Sequence, residues 1–223
     1  MENINKDTFT FIKQLIANNN RDWFAAHKDE YVTARENVIQ FANNLVLSMN
    51  KHDHIGDTKV YRIYRDVRFS KDKTPYKDNI GIWYTRATEN LRGGYYINIQ
   101  PGNVFVAGGF WAPNSADLKR IRTEIAINAS ELRAILNSKS FKNNFGELKG
   151  DSLKTAPRGF DKNHPDVDLL RLKQYLVLRK FTDKEALSDT FTKHCDNTFK
   201  AMRPLLNHMS EVLTTNENGE SIL

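Results

Sequence analysis

The spacing of apolar positions changes character along the chain, and the changes mark its elements. Phe9, Ile12, Leu15 and Ile16 recur at helical intervals behind Asp7 or Thr8, either of which can cap a first helix. The run "NNNRD" at 18–22 breaks that pattern, and Asp22 is placed to cap a second helix beginning at Trp23. From there Tyr31, Ala34, Val38, Phe41, Leu45 and Met49 form one long stripe, which predicts a helix with a single buried face.

After "KHDHIGD" the period shortens to two. The segments 59–65 (KVYRIYR), 79–86 (NIGIWYTR), 94–100 (GYYINIQ) and 103–110 (NVFVAGGF) alternate and are rich in β-branched and aromatic residues. Pro101-Gly102 joins the last two as a turn. Short links between successive strands predict an antiparallel meander in one sheet. The link at 66–78 is the exception, being longer than a hairpin turn needs.

Helical spacing then returns. Asn114 or Ser115 can cap a helix with Leu118, Ile121 and Ile125 inward, and Ser130 a short one through Leu136. "GDSLKTAPRGFDKNHP" is irregular and polar, Pro165 opens a helix with Asp166 and Asp168 in its first turn, and "QYLVLRKF" at 174–181 is a fifth strand. Residues 183–213 read as one last helix, bent or broken near Pro204. Helices at both ends with strands between predict an α+β fold: a mainly antiparallel sheet of four to five strands flanked by N-terminal and C-terminal helices. No repeat or low-complexity linker divides the 223 residues, so a single domain over 1–223 is expected.

Composition changes this picture little. Apolar residues make up 39%, enough for a sizeable core. A lone cysteine, Cys195, excludes an internal disulfide framework and points to a reducing compartment. The first fifteen residues lack a basic segment followed by an apolar run, and no apolar stretch approaches a membrane span. A soluble, cytoplasmic protein without a membrane partner is expected.

Charge matters more, because it is concentrated. The chain carries +6, and residues 62–77 hold six cations (Arg62, Arg65, Arg68, Lys71, Lys73, Lys77) against Asp66 and Asp72. A loop on a rigid sheet can aim such groups at a ligand, and a guanidinium grips phosphate or carboxylate through two parallel bonds. Ser70, Tyr64 and Tyr76 offer hydroxyls beside them. A surface cluster paired within itself would have the same composition.

The motifs "YRIYRDVRFSKDKTPYK", "GGYYINIQPG", "FVAGGFW" and "PRGFDKNHP...LLRLK", together with the opening "LIANNNRDWFAAHKDEY", resemble a bacterial and fungal family catalogued only as a conserved domain of unknown function. The resemblance covers nearly the whole chain in order. It implies one domain of about this length and brings no activity and no catalytic residues.

Other motifs point less far. Two imidazoles in "HDH" at 52–54 lack the further ligands a metal needs, so no metal site and no cofactor are expected. Cys195 reads as a buried bystander, and Gly108-Gly109 as positions where a ring or another backbone approaches the sheet. Trp83, Phe110 and Trp111 read as packing residues. The loop holding Arg158, Asp161 and His164 leads into a helix N-terminus, a natural anion environment.

Three functions fit these residues. The first is a domain binding a small phosphorylated or carboxylated ligand through Arg62, Arg65, Arg68, Ser70, Lys73, Tyr76, Lys77 and Arg158. If it is an enzyme, Asp66, Asp72, Asp161 and His164 are the available acid–base groups, and no nucleophile motif names a reaction. The second is a nucleic-acid binder using Tyr61, Tyr64, Phe69 and Tyr76 among the cations, against which the modest net charge and the lack of a recognition-helix motif weigh. The third is a structural or protein-interaction module whose arginines and aspartates pair internally. Sequence alone leaves the oligomeric state open.

Overall fold

A computed structural model describes residues 3–216 and 218–223. Among them are nine helices and one antiparallel sheet of order β1-β2-β3-β4-β5, with helices towards both ends of the chain. The strands are β1 (Ile55–Val60), β2 (Ile80–Arg86), β3 (Gly94–Ile99), β4 (Val104–Phe110) and β5 (Tyr175–Phe181). The α+β architecture expected from the sequence is therefore present. Residues group into two compact units, one of 1–84, 96–106 and 180–197, the other of 85–95, 107–179 and 198–223.

In the first unit, α1 (Lys6–Ala17) packs on α3 (Lys28–Met49), and α3 packs on β1. The stripe from Tyr31 to Met49 is buried at every position. The short α2 (Arg21–Ala26) lies between them, capped by Asn20, whose Oδ1 accepts from the Trp23 N–H at 2.9 Å. Asn20 precedes Asp22 in chain order and leaves it inside the first turn, so the expected Asp22 cap is corrected. Phe41 of α3 stacks on Phe191 at 5.5 Å, and Phe181 of β5 meets the same ring edge-on.

Alternation holds over most of β2, β3 and β4, although Gly81 and Asn98 are buried as well. Ile80, Ile82 and Tyr84, then Ile97 and Ile99, then Val104 and Val106 are buried, while Trp83, Tyr96, Phe105 and Ala107 lie half-buried on the opposite face. The β3–β4 turn is as expected: Gly102 has φ of 79°, and the Asn103 N–H bonds the Gln100 carbonyl at 2.9 Å. The first strand needs correction. It occupies 55–60 rather than 59–65; beyond Val60, pairing with β2 continues only through the Tyr61 N–H to the Gly81 carbonyl (2.9 Å), and the chain then turns away.

In the second unit, α4 (Ser115–Ile127), α5 (Ser130–Asn137), α6 (Lys139–Phe145) and α7 (Val167–Leu170) follow β4. Asn114 caps α4 through its Oδ1. Arg122 of α4 donates to the carbonyls of Leu170 and Leu172, tying α4 to the end of α7. Gly109 does what its sequence suggested, with the Tyr175 carbonyl against it, whereas the nearest neighbour of Gly108 is the Met202 thioether rather than a ring or backbone. Trp111 is the exception among the expected packing aromatics, being 65% exposed just past the end of β4.

The last helix is also divided. α8 (Asp183–Ala186) is a single turn closed by a reciprocal cap between Thr182 and Glu185, and α9 (Phe191–Thr214) then runs on with Pro204 inside it. The expected 183–213 helix is therefore interrupted at 187–190, after that cap, and not broken at Pro204. Within α9, Phe199 packs on Tyr95 at 4.8 Å, and Cys195 is fully buried.

Candidate functional site

Residues 62–77 form a hairpin-like excursion rather than an open loop. Tyr64 and Tyr76 make an isolated antiparallel bridge, the Arg65 N–H donates to the Pro75 carbonyl at 2.9 Å, and the Lys77 N–H to the Ile63 carbonyl at 2.7 Å. The base of the excursion is anchored by aromatic packing. Phe24 stacks on Tyr76 at 4.1 Å, Tyr64 meets both rings edge-on, and Tyr31 closes the group. Asn19 adds a clamp: its amide donates to the Tyr76 carbonyl (3.0 Å) and accepts from the Tyr76 N–H (3.1 Å). Tyr76, weighed as a ligand hydroxyl, is thus buried beneath the loop.

Within the excursion both acids hold an arginine. Asp66 binds the Arg68 fork through two bonds, Nε at 2.9 Å and Nη2 at 2.7 Å. Arg65 donates to Asp72 and to the Thr74 hydroxyl, while Asp72 also accepts from the Thr74 N–H (3.0 Å) and hydroxyl (2.8 Å). These bonds, the Arg65 contact above all, hold the Asp72 carboxyl down to about 2. The Arg68 guanidinium likewise lowers Asp66. Lys73 donates to the Val67 carbonyl at 2.9 Å, and the Ser70 N–H caps the same carbonyl at 3.3 Å.

The two arginines differ in setting. The Arg65 side chain is 27% exposed, whereas that of Arg68 is 77% exposed. Phe69, next to it, is 97% exposed, with the Arg68 guanidinium 6.0 Å from its ring centroid. Arg62 and Lys71 are exposed and, among the described residues, no carboxylate forms an ion pair with either, nor with Lys77.

The loop with Arg158 serves its own unit. Asp161 accepts from the Asn163 N–H at 2.9 Å, closing a tight turn. His164 accepts the Asp166 N–H on Nδ1 (3.1 Å), which leaves Nε2 to donate to the Ala126 carbonyl (3.2 Å) at the end of α4. Both ring nitrogens are therefore occupied by backbone. Arg158 is exposed. Nearby in the chain, Arg133 binds Asp166 at 2.8 Å and both oxygens of Asp168. It borders a cavity of about 270 Å³ with an apolar floor of Leu136, Phe141, Leu169 and Leu172. None of residues 62–77 lines that cavity.

Among the described residues no group of three or more His, Cys, Asp or Glu is arranged to hold a metal ion, and no helix is long and apolar enough to cross a membrane. His52 of the "HDH" run pairs instead with Asp196 at 2.9 Å. Sequence reasoning missed Asn19 and Thr74, which shape the excursion; the first was legible only as a helix breaker, the second not at all.

Residues 7–208 match the conserved hypothetical protein family DUF2461. The chain belongs to that family. No curated protein and no solved structure matches it. DUF2461 membership spans both the excursion and the Arg158–His164 loop, and the family's description gives no activity for either.

Proposed function

We propose that this DUF2461 protein is an anion-binding domain, and that residues 62–77 are its binding element. One observation carries the reading. Arg65 and Arg68 are each held in place by a carboxylate, yet the excursion keeps four more cations than acids can neutralise. A guanidinium already fixed in orientation loses less entropy when a phosphate or carboxylate arrives. Arg68 and Lys71 project beside the tip, where a ligand can reach them, and Arg62, Lys73, Lys77 and Ser70 lie along the same stretch. Arg158 belongs to the other unit and plays no part in this reading.

The acid–base candidates name no reaction. Asp66 and Asp72 hold arginines, Asp161 closes a turn, and His164 is used on both nitrogens.

The test is thermal melting of the wild type and Arg68→Ala with phosphate, citrate, a nucleoside triphosphate and inorganic polyphosphate, against chloride at matched ionic strength. Polyvalent anions should raise the wild-type melting temperature. Arg68→Ala should lose that rise while melting as the wild type does without ligand, because exposed pairs contribute little to stability. If no anion stabilises the wild type and Arg68→Ala melts several degrees lower, the cluster is scaffolding and the binding reading is wrong.

A further inference from the structure

The outward face of the sheet carries aromatic rings where an antiparallel sheet ordinarily presents polar residues to water. Tyr61, Tyr96 and Phe105 lie half-buried on this face, all in the first unit. They are close together. Tyr61 pairs through its backbone with Gly81, Tyr96 lies over that same Gly81, and the Tyr96 and Phe105 ring centroids are 5.9 Å apart. Gly81 is what lets Tyr96 lie down, since a Cβ there would stand 2.5 Å from the Tyr96 hydroxyl. Beyond the rings runs a polar row in which the Asn79 amide donates to Asn98 at 2.7 Å, and Gln100 donates to Asp78 at 2.8 Å.

Cations rim the rings. Lys59 lies 5.1 Å and Lys77 5.5 Å from the Tyr61 ring centroid. Lys77 is also the last cation of the 62–77 excursion, so this face and the base of that basic loop share a border. At the loop's tip Phe69 adds a fourth ring, almost wholly in solvent, beside Arg68. Partly exposed rings, two lysine ammoniums over one of them and amides along one side match a ligand that alternates planar rings with negative charges.

We propose that Tyr61, Tyr96 and Phe105, with Lys59 and Lys77, form a binding face for single-stranded nucleic acid. The bases stack on the rings and the phosphates meet the lysines. Unpaired bases are required, because a duplex buries its π-faces in its own stack. Stacking tolerates any base, so no sequence preference is expected, and no recognition helix is needed. The inference rests on the anion-binding reading above and assigns that anion as the backbone of a polynucleotide.

The experiment is fluorescence anisotropy of the full chain with labelled 12-mer oligo(U) and oligo(dT), the matching duplexes, inorganic polyphosphate and poly-glutamate as competitors. The single strands should bind at least about tenfold more tightly than the duplexes or either simple polyanion. Tyr61→Leu and Phe105→Leu should each weaken single-strand binding about tenfold, leaving the melting temperature and the salt slope of binding unchanged. Lys59→Ala and Lys77→Ala should each flatten that slope by about 0.7. Comparable affinities for oligo(U) and oligo(dT) indicate that stacking and phosphate contacts suffice; a preference for oligo(U) adds a 2′-hydroxyl contact to the same face. If polyphosphate or poly-glutamate binds as tightly as the single strands, and the two aromatic variants bind like wild type, the stacking face is refuted while anion binding stands. If nothing binds, both readings fall.

Discussion

Gly108 and Gly109 are neighbours in β4, yet replacing them with alanine should have very different consequences. At Gly109 a Cβ would lie 2.1 Å from the Tyr175 carbonyl oxygen and 3.1 Å from the Leu176 Cα, both backbone atoms of β5, and φ is 125°. Nothing there can move aside without shifting a strand. The positive φ costs about 1–3 kcal/mol for an alanine. Pushing the β5 backbone away adds about 1–3 kcal/mol of overpacking. The total for Gly109→Ala is about 2–6 kcal/mol, equivalent to a fall in melting temperature of about 4–24 °C for a chain of this size. At Gly108 the nearest atom is the Met202 Sδ at 2.6 Å, near the end of a flexible side chain, with the Gly94 carbonyl at 3.2 Å. A thioether can rotate away, so Gly108→Ala should cost at most about 1.5 kcal/mol. Thermal and urea denaturation of both variants by circular dichroism measures the difference. Equal losses, or a Gly109→Ala loss below about 1 kcal/mol, would refute the close approach of β4 to β5 and the argument built on it.

Two further outcomes follow from particular contacts. The Asp72 carboxyl, held at about 2 by Arg65 and Thr74, lies below its ordinary value of 3.8, so its contribution to stability is complete above about pH 4 and is lost as pH falls from there through 2; a carboxyl-carbon NMR titration with a midpoint at or above 4 would contradict the pair, and Arg65→Met should move the midpoint up. Thr182→Ala removes the hydroxyl that accepts the Glu185 N–H at 3.2 Å in the cap of α8 and should cost about 1 kcal/mol, read as a melting temperature about 2–4 °C lower; an unchanged melt would show that α8 does not depend on its cap.

How much of this was legible in the sequence depends on the range of the interaction. Alternation located β2, β3 and β4 to within a residue, because one face of each strand must be apolar and the other need not be. The same rule misplaced β1. Tyr61, Ile63 and Arg65 continue the alternation of Lys59, but Ile63 is buried where the chain has already left β2, its carbonyl bonded to Lys77 rather than to the sheet. Helix ends were less legible still, since Asn20 and Asp22, or Ser188 and Thr190, are equally good punctuation by residue type, and only tertiary placement selects among them. For the candidate site, the six cations and two acids were visible by composition, and an arginine held by an acid was expected. Which acid holds which arginine was not visible. The Asp66–Arg68 fork joins residues two apart, while Arg65 reaches seven residues to Asp72 and nine to Thr74.

The aromatic face was hidden for a different reason. Tyr61, Tyr96 and Phe105 are ordinary strand residues by propensity, and aromatics near strands are usually core. Alternation alone places Tyr96 outward and Tyr95 inward, but it does not say whether an outward ring stands away from the sheet, packs under another element or lies flat. Gly81 decides that for Tyr96, and its effect depends on a cross-strand register no single segment reveals. The Lys77 ammonium near Tyr61 then connects two features that the sequence presents separately, a basic loop and an alternating strand. The loop's internal ion pairs and the ligand binding proposed for it are not in competition. Asp66 and Asp72 use two carboxylates to orient two guanidinium groups, and the cations left over are those at the tip and at the border with the rings. Under the proposed anion-binding reading that surplus has a use, whereas in a purely structural cluster each additional unpaired cation only raises the self-repulsion of the loop.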